Sequence, residues 1–414
     1  MSKFKIVLSD FSICRISVIF KGNGLHRAKK KDHYLSMMNV VELLQTLIRI
    51  PSVNSDNAPG TDQVDEQGMA DFLQKYLSAA GFSVKQEEVL PGRPNVIARA
   101  PFKGEHDERP RILLGPHSDT VGVSGMEFDP FCGDLVHGKI LGRGASDTKG
   151  PMAAMLIALV ENIDLLVDLP VAVDFVAFMG EESSQQGSKH FAKHHADEYV
   201  FAVAGEPTSL NVVNVTKGCT WLTVTAKGKA SHSSQPERGE NAVMILARVL
   251  DLMNRKLSNR LATYTHPVLG HSTINIGTFH GGTRPNIVPD FAEAEIDIRM
   301  TPSLMEAGGG RELTTAFIEE MKLPLKLTKS HENPPMETAE SNPYIQSMLS
   351  AWPSSRCVGA PWFSDAAHLS KGGIPSICVG PGSIDQAHTK DEFILVEDLE
   401  QGVQFFSAFI QSLI

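Results

Sequence analysis

Acidic and imidazole side chains recur just past the apolar runs of this 414-residue chain. LLGPHSD carries His117 and Asp119, GRGASDTKG carries Asp147, FVAFMGEESSQQG carries Glu181 and Glu182, VAGEP carries Glu206, and VGPGSIDQAH carries His388. A set of imidazoles and carboxylates without thiolates suits zinc, cobalt or manganese. So many carboxylates brought together repel one another unless cations lie between them. Two ions sharing a carboxylate would bind a water between them, lower its pKa and polarise a carbonyl. Of the adjacent Glu181 and Glu182, one can coordinate while the other takes the water's proton and passes it to a leaving amine. Taken singly, each motif has a plainer reading: a hydrogen-bonded loop histidine, a glutamate at a helix N-terminus, a solvated turn. GRGASDTKG lacks the GxxxxGK[ST] and GxGxxG spacings of phosphate-binding loops. The joint placement of all these residues at strand ends is what favours a metal centre.

Such convergence needs a scaffold. FSVKQEEV, NVIARA and RILLGPH read as extended, KGPMAAMLIALVENI as helical, and VAVDFVAFMG and YVFAVAGEP as core strands. This alternation indicates an α/β fold with a mixed, largely parallel sheet and flanking helices, whose strand ends open into one crevice. From about residue 213 the pattern changes. TWLTVTAKG, NAVMILARVLDLMNRKL, STINIGTFHG, FAEAEIDIRM, RELTTAFIEEMK and LKLTKS read as βαββαβ, a ferredoxin-like α+β unit inserted over residues 213–330. The catalytic domain is then expected over residues 38–212 and 331–414, closing with the helix LEQGVQFFSAFIQSLI. Residues 1–36 contain an apolar stretch interrupted by Asp10 and Arg15 and a basic run from His26 to Lys31, and are expected to be a disordered leader or a mis-called start.

The motif set resembles the M20 family of co-catalytic metallohydrolases, from about residue 38 to the end. That resemblance implies a zinc-exopeptidase-like catalytic domain with two divalent ions. His117, Asp147 and Glu206 would hold one, and Glu182, Asp147 and His388 the other, with Asp147 bridging and preceding a cis bond to Thr148. It further implies that Glu181 is the general base and that Asp119 orients His117. GKASHSSQPERGENA supplies His232, which the family delivers across a two-fold interface to an oxyanion site, so a homodimer is implied. GGTRPNIVP supplies Arg284 and Asn286, which resemble residues that contact a substrate carboxylate. The resemblance implies amide hydrolysis of an N-acyl amino acid, with N-acetyl-ornithine first, N-succinyl-diaminopimelate second, and a dipeptidase or carboxypeptidase third. A non-catalytic binding module on the same fold is the reading from another class, but no ligand or base is missing from the motifs.

Composition narrows the partners. A net charge of -10 argues against broad contact with a phosphate backbone, hence against nucleic acid. Five scattered cysteines without a CxxC pair suggest neither a disulfide framework nor a thiolate zinc site, and fit a reducing, cytoplasmic compartment. No uncharged apolar run is long enough to cross a bilayer, so no membrane partner is expected.

Overall fold

The apolar runs become strands and the periodic segments become helices in the computed structural model, which describes residues 38–56 and 61–414. The expected leader over residues 1–36 lies outside the described residues. Helix α1 (Val40–Ile48) opens with a capping box: Asn39 accepts from the Glu42 amide while the Glu42 carboxylate takes the Asn39 amide. Its buried side, Val40, Leu43, Leu44, Leu47 and Ile48, joins the main core with Met69, Leu73 and Leu77 of α2 (Glu66–Ala79).

The central sheet is built from β1 (Ser83–Leu90), β2 (Arg93–Arg99), β3 (Arg111–Gly115), β4 (Ala172–Ala177), β5 (Tyr199–Ala204) and β6 (Val212–Thr216). After the insertion the chain returns with β11 (Met336–Glu337), β12 (Cys357–Ala360) and β13 (Ser376–Cys378). The strands run in the order β1-β2-β4-β3-β5-β13-β6-β11, with β12 also on β6. The middle, β4-β3-β5-β13, is parallel, and the β1, β2 and β11 flank is antiparallel. Every residue of β4 is buried, as a parallel strand covered on both faces requires. Helix α3 (Lys149–Glu161) is buried almost all round, because it lies between α1 and the C-terminal helix α9 (Val396–Gln411). The connecting helices α4 (Gln186–His195), α7 (Pro343–Ala351) and α8 (Asp365–Lys371) complete the layers.

The insertion folds as β7 (Gly218–Lys227), α5 (Ala242–Leu261), β8 (Thr273–Gly281), β9 (Phe291–Met300), α6 (Gly309–Glu320) and β10 (Lys326–Asn333). Its antiparallel sheet has the order β8-β9-β7-β10. Ala292, Ala294, Ile296, Ile298 and Met300 alternate onto the face covered by the helices, where Leu222, Val224, Leu246, Met253 and Phe317 close a separate core. The limits differ from the 213 and 330 read from the sequence. Residues Val212–Thr216 pair with β12 and β13 in the central sheet, and the inserted sheet runs on to Asn333. The two crossings touch at Gly218, where a β-carbon would lie 2.4 Å from the Asn333 carbonyl oxygen and 2.5 Å from the Pro335 nitrogen. Only glycine fits there.

Candidate metal centre

Asp147 is the middle of the site. Its Oδ1 lies 3.1 Å from His117 Nε2 and its Oδ2 lies 3.2 Å from His388 Nε2. His388 Nε2 is also 3.1 Å from Glu182 Oε2. One carboxylate therefore faces a different imidazole with each oxygen, the geometry that holds two cations side by side. His117, Asp147 and Glu182 offer ligand atoms within 4.8 Å of one another. Glu206 is buried nearby at the end of β5, and no hydrogen bond or ion pair ties it to the others among the described residues. The Asp147–Thr148 peptide is cis.

His117 follows β3 and extends its pairing by a bridge to Phe178. Its Nδ1 lies 2.9 Å from the Asp119 carbonyl oxygen and 3.5 Å from Asp119 Oδ1, which leaves Nε2 toward Asp147. The adjacent glutamates are held by their backbone. Four successive amides each donate to a buried side chain from elsewhere: Met179 to Asn95 Oδ1, Gly180 to Glu66 Oε1, Glu181 to Asp119 Oδ1 and Glu182 to Asp119 Oδ2, at 3.0 to 3.2 Å. Asn54 Nδ2 adds a 2.7 Å bond to Asp119, and Arg93 pairs with Glu66.

The Asp147 loop is fixed in a comparable way from the far end of the chain. Fully buried Glu392 accepts from Arg143 Nη1 at 2.6 Å and from the amides of Gly144, Ser146 and Asp147 at 2.9 to 3.1 Å. The loop's amides, which could have cradled a phosphate, thus already hold an internal anion. Neither Glu392, Glu66, Asn95 nor Asn54 carries a local signal in the sequence, because each acts on a backbone amide distant along the chain.

The electrostatics describe a site short of positive charge. Burial pushes the Glu181 carboxyl well above the usual range, and Asp365, Glu206 and Glu182 push it further. Burial, then Asp147, takes Glu182 up to about 7. Burial raises Glu206 likewise and takes Asp365 up to about 7. Among the described residues no lysine or arginine forms an ion pair with Glu181, Glu206 or Asp365. The histidines gather protons as well. Burial opposes a charge on His117, but Asp119 and Asp147 hold its imidazole well above its usual range. Hydrogen bonds to Asp147 and Glu182 take His388 up to about 10. The same pair of imidazoles draws Asp147 down against its burial. Two imidazoles and several carboxylates that gather protons in this way are a fitting donor set for two divalent ions.

The remaining expected residues sit elsewhere. His232 pairs with Ile287 across a short ladder, and the Ser233 amide donates to the Asn286 carbonyl oxygen at 3.0 Å. His232, Arg284 and Asn286 are therefore neighbours on one exposed edge of the insertion, and among the described residues no hydrogen bond or ion pair joins them to the Asp147 cluster. His195 is occupied by Glu87 and Glu198 on the surface of α4.

Residues 113–412 match the Peptidase family M20/M25/M40. The chain is 30% identical to an acetylornithine deacetylase of Vibrio cholerae over 91% of this chain and 99% of that protein. Its fold is similar to that of an M20 family metallo-carboxypeptidase from Sulfolobus solfataricus, with a TM-score of 0.75, 18% identity and coverage of 91% of this chain and 99% of that one. It is also similar to a Bacillus subtilis protein described as a dinuclear metal binding peptidase of the M20 family, with a TM-score of 0.62, 15% identity and coverage of 92% and 98%. The chain belongs to peptidase family M20/M25/M40 and is a metal-dependent amidohydrolase.

Proposed function

We propose that the chain hydrolyses the amide bond of an N-acyl amino acid, N-acetyl-ornithine foremost, at a dinuclear centre. One observation carries the chemistry: Asp147 presents one oxygen to each of two imidazoles, near a half-buried glutamate, Glu181, that no lysine or arginine pairs with among the described residues. The name of the Vibrio cholerae relative supports the substrate. In this reading His117, Asp147 and Glu206 hold one ion and Glu182, Asp147 and His388 the other, with zinc, cobalt or manganese as the metal. When bound, the ions polarise the scissile carbonyl and acidify the attacking water. Glu181 takes a proton from that water as its oxygen bonds to the carbonyl carbon. It then returns the proton to the nitrogen as the carbon–nitrogen bond breaks. Asp119 keeps His117 oriented, while Arg284 and Asn286 take the substrate carboxylate and His232 of a second copy steadies the oxyanion of the tetrahedral intermediate. The protein works as a cytoplasmic homodimer, and no described helix is long and apolar enough to cross a membrane.

The test is a turnover screen of N-acetyl-ornithine, N-succinyl-diaminopimelate and several dipeptides with added zinc or cobalt. N-acetyl-ornithine should be cleaved fastest. Faster cleavage of another amide would overturn the substrate and leave the chemistry standing, whereas metal-loaded protein inert toward all of them would favour a binding module.

A further inference from the structure

We propose that Gln185 and His368 are a positioning pair for the Glu181 carboxylate, and that they tie it to the junction of the inserted domain at Asn333. The inference rests on Glu181 being the base.

Gln185 occupies the turn between the two glutamates and α4. It is 1% exposed, and its backbone is left-handed at φ 53°, held there by its own amide donating to the Gly180 carbonyl oxygen at 2.8 Å. Glycine is the default residue at such a position, and a glutamine there is strained. A local rule broken at a buried site points to a side chain that is needed. Both ends of the amide are used. Nε2 donates to Glu181 Oε1 at 2.9 Å, and Oε1 lies 2.8 Å from His368 Nε2. This is the orientation in which Glu181 can serve as the base, since a carboxylate about to take a proton only accepts and so faces the NH₂ end.

His368 comes from α8, in the FSDAAHL stretch that no role above accounts for. Its Nε2 is also 3.2 Å from Asn333 Oδ1. Both neighbours of this nitrogen are carbonyl oxygens, so Nε2 carries the hydrogen and shares it between them. Burial, with Lys189, Lys371 and His331, pushes the imidazole down to about 3 and keeps it neutral. Asn333 ends β10, where the insertion rejoins the catalytic domain. The path thus runs from the base through Gln185 and His368 to the crossing that Gly218 packs against.

Two consequences follow for the reaction. With Oε1 engaged by Gln185, the proton moving between water and leaving nitrogen is carried on Oε2. A shift of the insertion at Asn333 also changes the acceptors open to His368, so the aim of the base and the position of the insertion are linked.

The decisive variant is Gln185→Gly, which relieves the left-handed backbone while deleting the amide. The melting temperature should hold or rise, metal content and KM for N-acetyl-ornithine should stay put, and kcat should drop roughly 10- to 100-fold, as small misplacements of a reacting group do. Gln185→Met, with a similar reach but no donor, should behave alike. His368→Leu should lower kcat, the double variant Gln185→Gly/His368→Leu should lose no more than Gln185→Gly alone, and His368→Gln, which keeps an N–H donor, should retain most activity. Independently of turnover, crystals of the zinc-loaded protein should show one Glu181 conformer in the wild type and several in Gln185→Gly. Losses that multiply in the double variant, or a single Glu181 conformer in both crystals, would overturn the pair. If Glu181→Gln itself keeps turnover, the base assignment fails. If Glu181→Gln is dead while Gln185→Gly retains full kcat, only the positioning pair fails.

Discussion

Strand β4 and the turn after it treat their carboxylates in two ways. Asp174, fully buried within β4, has its charge answered by the protein: Arg111 Nη1 lies at 2.8 Å, Arg99 Nη1 and Tyr199 Oη at 3.0 Å, and the Ala100 amide at 2.8 Å. A few residues on, half-buried Glu181 lies near Asp365 and Glu206, and among the described residues no arginine pairs with it. Where a carboxylate serves the scaffold, the sequence encodes its counter-charge. Where several gather without one, the positive charge is meant to be imported, because stacking buried anions without cations costs several kcal/mol per ion.

Breaking each cluster separately sharpens the contrast. The largest effect is expected from Glu181→Gln, which should cut turnover about 10²–10⁴-fold with metal per chain unchanged, since it removes a proton acceptor and no ligand. Glu182→Gln should instead lower metal content, and a swap of the two phenotypes would exchange their roles. Asp174→Ala should cost about 3–5 kcal/mol in urea unfolding, the usual penalty for stranding buried partners, while the folded fraction keeps its kcat. A cost under about 1 kcal/mol would mean that the arginines do not need it.

His232→Ala tests whether a donor, like the metal, arrives from outside the site. It should lower kcat by about 10²–10³-fold without loss of metal. Mixing it with Glu181→Gln subunits should restore some activity, because one of the two sites then has both wild-type groups. A fully active monomer would end that idea.

The smallest effect concerns pH. In metal-free protein Glu182, raised from 4.5 to about 7, and His388, raised from 6.5 to about 10, bind more protons folded than unfolded. Their contribution to stability is therefore complete below the unfolded values and is lost as pH rises through the folded ones. The melting temperature of chelator-treated protein should fall between about pH 5 and pH 10, and zinc should flatten that slope. A stripped protein with no such fall would not be storing protons at the site.

Much of this arrangement could be read from residue order. The apolar runs ending in Gly115, Ala177 and Ala204 announce parallel core strands, and the residues just beyond them hold the metal-ligand types. The βαββαβ pattern announces the insertion, because its strands alternate with period two. Its start carries no such mark. Residues Val212–Thr216 and Gly218–Lys227 are both extended and apolar, and only tertiary pairing decides that the sheet changes at Lys217. The supports at Asn54, Glu66, Asn95 and Glu392 are invisible for a related reason: a side chain that caps a distant amide leaves no periodicity in its own neighbourhood.

Glu392 also sets a clock. It binds the amide of Asp147 across 245 positions of chain, and His388 comes from the same late stretch. Chains fold from the N-terminus as they are made. A nascent chain that already displays His117, Asp147 and Glu182 still lacks His388 and the carboxylate that anchors the Asp147 amide until residues 388–392 emerge from the ribosome. On the proposed ligand assignment the place of the second ion is built only once residues 388–392 are out, and a chain truncated before residue 388 should retain less zinc than the full chain even if its central sheet forms.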